Sequence, residues 1–187
     1  MYQSLLQDSR LYELLLKLDA DLAAEARRAG CACGGVLHSA HYERKPRGGP
    51  TGLAPEHGLR FSLCCATEGC RRRTRPLSVR FLGRKVYFAV MVLLVPVLRD
   101  GLSAKRLERL SGMVPVCMRT LRRWRLYWRE TFVASRTWQA ARGRFAIPLG
   151  AERLPGALLE AFSGIGDLQQ RIVAVLRLVV AAPEPGF

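Results

Sequence analysis

The sequence predicts a mostly α-helical protein with one small β module, and three observations predict it. Leu5, Leu11, Leu15, Leu18 and Leu22 recur at helical spacing near the start, and Cys117, Leu121, Trp124 and Trp128 do so again further on. Two short cysteine groups, Cys31-Ala32-Cys33 and Cys64-Cys65 with Cys70, flank a stretch with strand-like character. A run of thirteen mostly apolar residues, positions 86–98, lies between charged flanks and is too short to span a bilayer. The fold class expected is therefore mostly α with a small β zinc ribbon. It divides into an amphipathic helix over residues 1–29, a zinc-ribbon-like module over 30–80, a three-helix helix-turn-helix over 81–130 and a helical C-terminal tail over 131–187.

The first helix is expected over residues 2–28. Its leucines share one side, Asp8, Glu13, Asp19, Asp21 and Glu25 take the polar side, and Gly30 stops it. It has too few heptads for a long coiled coil and reads as a packing or self-association helix. The opening lacks the basic start and apolar core of a secretory leader, so reduced thiols and a cytoplasmic setting are expected.

The cysteines come next. Four thiolates converging from two turns make a structural zinc site, and Gly34, Gly35 and Gly69 supply the permissive backbone such turns need. Cys31, Cys33, Cys65 and Cys70 are the expected ligands of one structural Zn2+. Cys64 is the alternative to Cys65, because adjacent strand residues point to opposite faces and cannot both ligate one ion. The spacing departs from the usual two intervening residues: one lies between Cys31 and Cys33, and four between Cys65 and Cys70. His38 and His41 are near enough in sequence to be considered as ligands. Strands are expected over residues 33–42 and 60–64, with a Gly- and Pro-rich loop over 44–57 between them.

Charge narrows the partners. Thirty basic residues against fifteen acidic ones give a formal net charge of +15 over 187 residues, a field that attracts polyanions. The surplus is nearly all arginine and is unevenly placed. Seven basic residues and no acidic one fall between positions 71 and 85, and five more with none between 119 and 129. Arg71, Arg72, Arg73 and Arg75 sit beside Cys70, while Arg119, Arg122, Arg123 and Arg125 sit on the last helix of the expected helix-turn-helix.

In that domain the apolar run forms the first helix, with Pro96 kinking or ending it. A short helix over 103–110 and a turn at Gly112 follow. A third helix over 115–129 presents Cys117, Leu121, Trp124 and Trp128 on one face and Arg119, Arg122 and Arg123 on the other, with Arg125 and Arg129 at its flank. A basic face opposite a buried stripe suits a recognition helix in a DNA groove. It equally suits a solvated helix on a small bundle.

Five segments together resemble bacterial insertion-sequence-associated proteins that carry a zinc-ribbon-like front and a helix-turn-helix behind it. They are Cys-x-Cys-Gly-Gly-x-Leu-His (31–38), Arg-Lys-Pro-Arg-Gly (44–48), Arg-Phe-Ser-x-Cys-Cys with Gly-Cys-Arg-x-Arg (60–73), Ser-Val-Arg-Phe-Leu-Gly-Arg-Lys-Val-Tyr (78–87) and Arg-Thr-Leu-Arg-Arg-Trp-Arg (119–125). The resemblance covers residues 30–145 and implies duplex DNA binding in a mobile-element context, with a second copy or a catalytic transposase as protein partner. The segment 112–117 is longer than the turn of that pattern.

An enzyme is not expected. A transposase core needs three carboxylates on a sheet of more than a hundred residues or so to hold two metals. Residues 131–187 offer only Glu152, Glu160, Asp167 and Glu184 in a helical, Pro-punctuated stretch. The rival reading is an RNA-binding or protein-interaction zinc ribbon. No membrane partner is expected.

Overall fold

The computed structural model describes residues 2–83, 85–100 and 116–181. About half of the chain is helical, with small antiparallel β-pairings near its front. The helix expected over 103–110 and the turn at Gly112 lie outside the described residues. The chain forms two compact units, residues 8–88 and residues 1–7 with 89–187. This division cuts across the four segments expected from the sequence: the long N-terminal helix groups with the cysteine module, and residues 131–187 group with the apolar helix at 89–100.

In the unit of residues 8–88, the expected N-terminal helix is broken near its start. Helix α1, Tyr2–Leu5, precedes the break and belongs to the other unit; helix α2, Ser9–Ala29, follows it. Asp8 causes the break by capping α2, its carboxylate accepting from the Arg10 amide at 3.0 Å. Gly30, at φ 72°, ends the helix in a backbone conformation that favours glycine.

The inward stripe of α2 is Leu11, Tyr12, Leu15, Asp19 and Ala23. Asp19 was expected on the polar side and is instead fully buried. It accepts from Ser78 Oγ at 2.5 Å, the Val79 amide at 2.7 Å and Arg80 Nε at 2.8 Å. Arg80, equally buried, donates its remaining N–H groups to the carbonyls of Glu56, His57 and Leu59. The guanidinium lies between Phe61 and Phe81, 5.1 and 5.0 Å from their centroids. A buried ion pair is tolerated only when its remaining donors and acceptors are satisfied, and here backbone carbonyls satisfy them. Arg44 stacks on the other aromatic partner, Phe81, at 5.1 Å and donates to the carbonyls of Gly83 and Lys85.

The expected single hairpin is split into two short pairings. Strands β1 (Leu37–Ser39), β4 (Leu63–Cys65) and β5 (Arg73–Thr74) form one antiparallel sheet in the order β1-β4-β5, while β2 (Tyr42–Glu43) pairs with β3 (Leu59–Arg60). His41 sits at the break, its Nδ1 within 3.1 Å of the Ser62 amide. Strand β5 was not expected, because two residues inside an arginine run carry no hydrophobic period. Cys31, Leu37, Leu63 and Cys65 make a small core at this sheet, with Ala26 and Cys70 against it.

The other unit is built around helix α3, Ala89–Asp100, whose residues 89–96 are buried. Pro96 lies inside α3 and does not end it. Helix α4, Met118–Leu126, starts later than expected and continues as a π-helical segment, Tyr127–Phe132. Cys117 is the extended cap residue before α4 and is exposed, so it does not join the buried stripe. Leu121, Trp124 and Trp128 do, and Trp128 Nε1 donates to the Val92 carbonyl at 3.0 Å.

The remaining helices complete this unit: α5 (Arg136–Ala141), α6 (Gly156–Ala161) and α7 (Leu168–Val180). Asp167 and Gln170 form a capping box at the start of α7, which packs on α3, α5 and α6. Rings of Trp128, Phe132, Trp138, Phe145 and Phe162 follow one another at 5.1 to 6.0 Å between centroids. Leu158, Leu159, Ile172, Val175 and Leu176 are buried as well, so the stretch 151–180 contributes to a core.

Candidate metal centre

Two turns bring four sulfurs together. The Sγ atoms of Cys31, Cys33, Cys65 and Cys70 all lie within 4.8 Å of one another, with 3.7 Å between Cys31 and Cys70 and 3.5 Å between Cys33 and Cys65. Four thiols in that arrangement could hold a metal ion. All six cysteines of the chain are free thiols.

The two turns are built alike despite their unequal spacing. In the first, the Cys31 amide donates to the Gly35 carbonyl at 3.0 Å; in the second, the Cys65 amide donates to the Arg72 carbonyl at 3.0 Å. Each bond therefore runs from the first cysteine of a turn to the second residue after its last cysteine. The residue directly after that last cysteine has a left-handed backbone in both turns: Gly34 at φ 81° and Arg71 at φ 44°. The next amide, Gly35 or Arg72, hydrogen-bonds back to the sulfur of Cys33 or Cys70. Extra residues of the second turn are absorbed by Thr67, whose carbonyl accepts from the Cys70 and Arg71 amides. Gly35 is also required by space, since a Cβ there would overlap Thr67 Oγ1 and Cys65 Sγ.

Strand register decides between the adjacent cysteines. Leu37 pairs with Cys65 and His38 with Cys64, which turns Cys65 to the buried core face and Cys64 away from it. Cys64 Sγ instead lies 3.5 Å from the Arg71 carbonyl. Neither His38 nor His41 joins the cluster, among the described residues.

The Gly35 amide, helped by the thiols of Cys70, Cys65 and Cys31, holds the Cys33 thiol down at about 6. At Cys70 the Arg72 amide pulls the other way, but hydrogen bonds with the Cys33 and Cys31 thiols push the group up to about 11. Cys33 is thus readier to ionise than Cys70.

The arginines divide by burial. Arg71, Arg72, Arg73 and Arg75 are exposed around the second cysteine turn, and Arg119, Arg122 and Arg123 are exposed on α4 opposite Leu121 and Trp124; Arg125 is half-buried. Sequence counting placed Arg80 in the same basic block as Arg71, yet it is a structural residue held by Asp19. No helix among the described residues is long and apolar enough to cross a membrane. No protein-family model, curated protein or solved structure matches the chain.

Proposed function

We propose that this chain is a non-catalytic, zinc-stabilised protein that binds duplex DNA. The observation that carries the reading is the sorting of its arginines. Arg44, Arg60 and Arg80 are spent on backbone carbonyls and aromatic rings, while Arg71, Arg72, Arg73 and Arg75 and the α4 set of Arg119, Arg122 and Arg123 are left in solvent in two groups. Two exposed, acid-poor arginine groups suit phosphate contacts along a nucleic-acid backbone.

Zinc suits the thiol site. With Zn–S bonds of about 2.3 Å, tetrahedral sulfurs stand about 3.8 Å apart, close to the 3.7 Å between Cys31 and Cys70 and the 3.5 Å between Cys33 and Cys65. Four sulfurs leave the ion no open position for substrate, so its role is structural. The face of α4 that carries Arg119 and Arg122 is the base-reading element of a helix-turn-helix, and its N-terminal end enters the major groove. The resemblance to insertion-sequence-associated proteins supplies the setting: an accessory or detached DNA-binding part of a mobile element, acting as a homo-oligomer or beside a catalytic transposase.

The test is selection from a random duplex library at fixed salt. An enriched motif is expected, flattened at one base position and weakened by about 1–3 kcal/mol when Arg119 or Arg122 is changed to alanine. No enriched motif, or tighter binding to structured RNA than to any duplex, would overturn the reading.

A further inference from the structure

We propose that Arg71 is the main phosphate anchor of the cysteine module, held in a left-handed backbone conformation because its side chain is needed at that point. The inference rests on the duplex-binding reading above and deepens it. Its basis is the equivalence of the two cysteine turns. Both require a left-handed residue directly after the last cysteine, and the first turn fills that position with Gly34. A residue with a Cβ is disfavoured in that region, whereas glycine adopts it freely. The second turn nevertheless carries an arginine there, at φ 44°.

Nothing in the protein's own packing accounts for that choice. The Arg71 side chain is exposed and meets no hydrogen-bond or ionic partner among the described residues. Its backbone alone does structural work: the amide donates to Thr67 and the carbonyl faces Cys64 Sγ. Glycine would supply both contacts. Surrounding structure therefore fixes an unfavourable conformation, and the side chain it projects has no internal use. Strain kept in this way marks residues that act on a ligand. The chemistry on offer is a guanidinium beside those of Arg72 and Arg73, which fits the oxygens of a DNA backbone phosphate.

A structural role and a binding role predict opposite stability changes at this position. The full-length zinc-loaded chain would be compared with Arg71→Gly, Arg71→Asn, Arg72→Ala and Arg73→Ala. Binding would be read with a short duplex at several salt concentrations, and stability by thermal melting. Arg71→Gly should melt at a higher temperature than wild type and lose about tenfold in duplex affinity, with the salt slope reduced by about one. Arg71→Asn removes the charge while tolerating the left-handed backbone, and it should lose binding to the same degree.

A lower melting temperature for Arg71→Gly would overturn the proposal, because the strain would then not be held for the side chain. Unchanged affinity in both Arg71 variants, with losses at Arg72 or Arg73, would also overturn it while leaving duplex binding intact. Wild type binding structured RNA and no duplex would remove the reading beneath it.

Discussion

Asp19 shows how a single side chain can hide in a sequence. Among Asp8, Glu13, Asp19, Asp21 and Glu25 nothing local marks it out, and helical spacing assigned it to the polar side. Its meaning is set by Arg80, 61 positions later, and no periodicity reaches that far. The same distance hid Arg80 inside an apparently uniform basic block. The four clustering cysteines were legible because two close cysteine turns are a strong local signal, but placing Cys65 and not Cys64 in the cluster needed the register with Leu37. Replacing Asp19 with alanine would leave a buried guanidinium without its counter-charge. Folding stability should fall by about 3–5 kcal/mol, read from urea unfolding. The double change Asp19→Leu with Arg80→Met should recover part of that loss, since an apolar pair of similar volume removes the unpaired charge. A loss under about 1 kcal/mol for Asp19→Ala would show that water or another group reaches Arg80.

At the scale of elements, long helices were readable and short strands were not. Helix α2 carries enough turns for its apolar spacing to stand out, and Gly30 marks its end chemically. Strands β2, β3 and β5 have two residues each, fewer than one full alternation, so hydrogen bonding and not pattern creates them. The buried face of α4 was legible from Leu121, Trp124 and Trp128, whereas the exclusion of Cys117 depended on where the helix begins. Trp128 is tied to α3 by its indole N–H, and Trp124 is 4% exposed. Trp124→Ala should therefore destabilise the helical unit by about 3–5 kcal/mol as a large-to-small core change. Thermal unfolding followed by circular dichroism would measure it. Arg122→Ala on the opposite face should leave the transition within about 0.5 kcal/mol of wild type. Equal effects at the two positions would mean that α4 does not bury the face assigned to it.

At the scale of the whole molecule, the buried apolar residues are unevenly shared between the helical unit and the cysteine-bearing sheet. Within residues 89–98 and 116–180 that unit buries an apolar and aromatic core around α3, so it carries its own hydrophobic driving force. In the other unit Leu11, Tyr12, Leu15, Val79, Phe81 and Phe88 are buried away from the cysteines, while the cysteine-bearing sheet has its own small cluster of Cys31, Leu37, Leu63 and Cys65. On the zinc reading proposed above, an ion would cross-link the two cysteine turns that this small cluster joins. Purified protein should contain about one zinc per chain. Chelation should then raise amide hydrogen exchange across residues 31–74 while residues 89–98 and 168–180 keep their protection. Helix α2 should retain protection where Leu11, Tyr12 and Leu15 pack and lose it toward Ala29, next to the released Cys31. Cys65→Ser should reproduce the chelated pattern and lose zinc, and Cys64→Ser should do neither. Unchanged exchange at residues 31–74 after complete metal removal would show that the turns hold their shape through hydrogen bonds alone, and the ion would then have no structural role. Loss of protection in both units together would show that they unfold as one cooperative body, so that a single zinc site governs the stability of the entire chain.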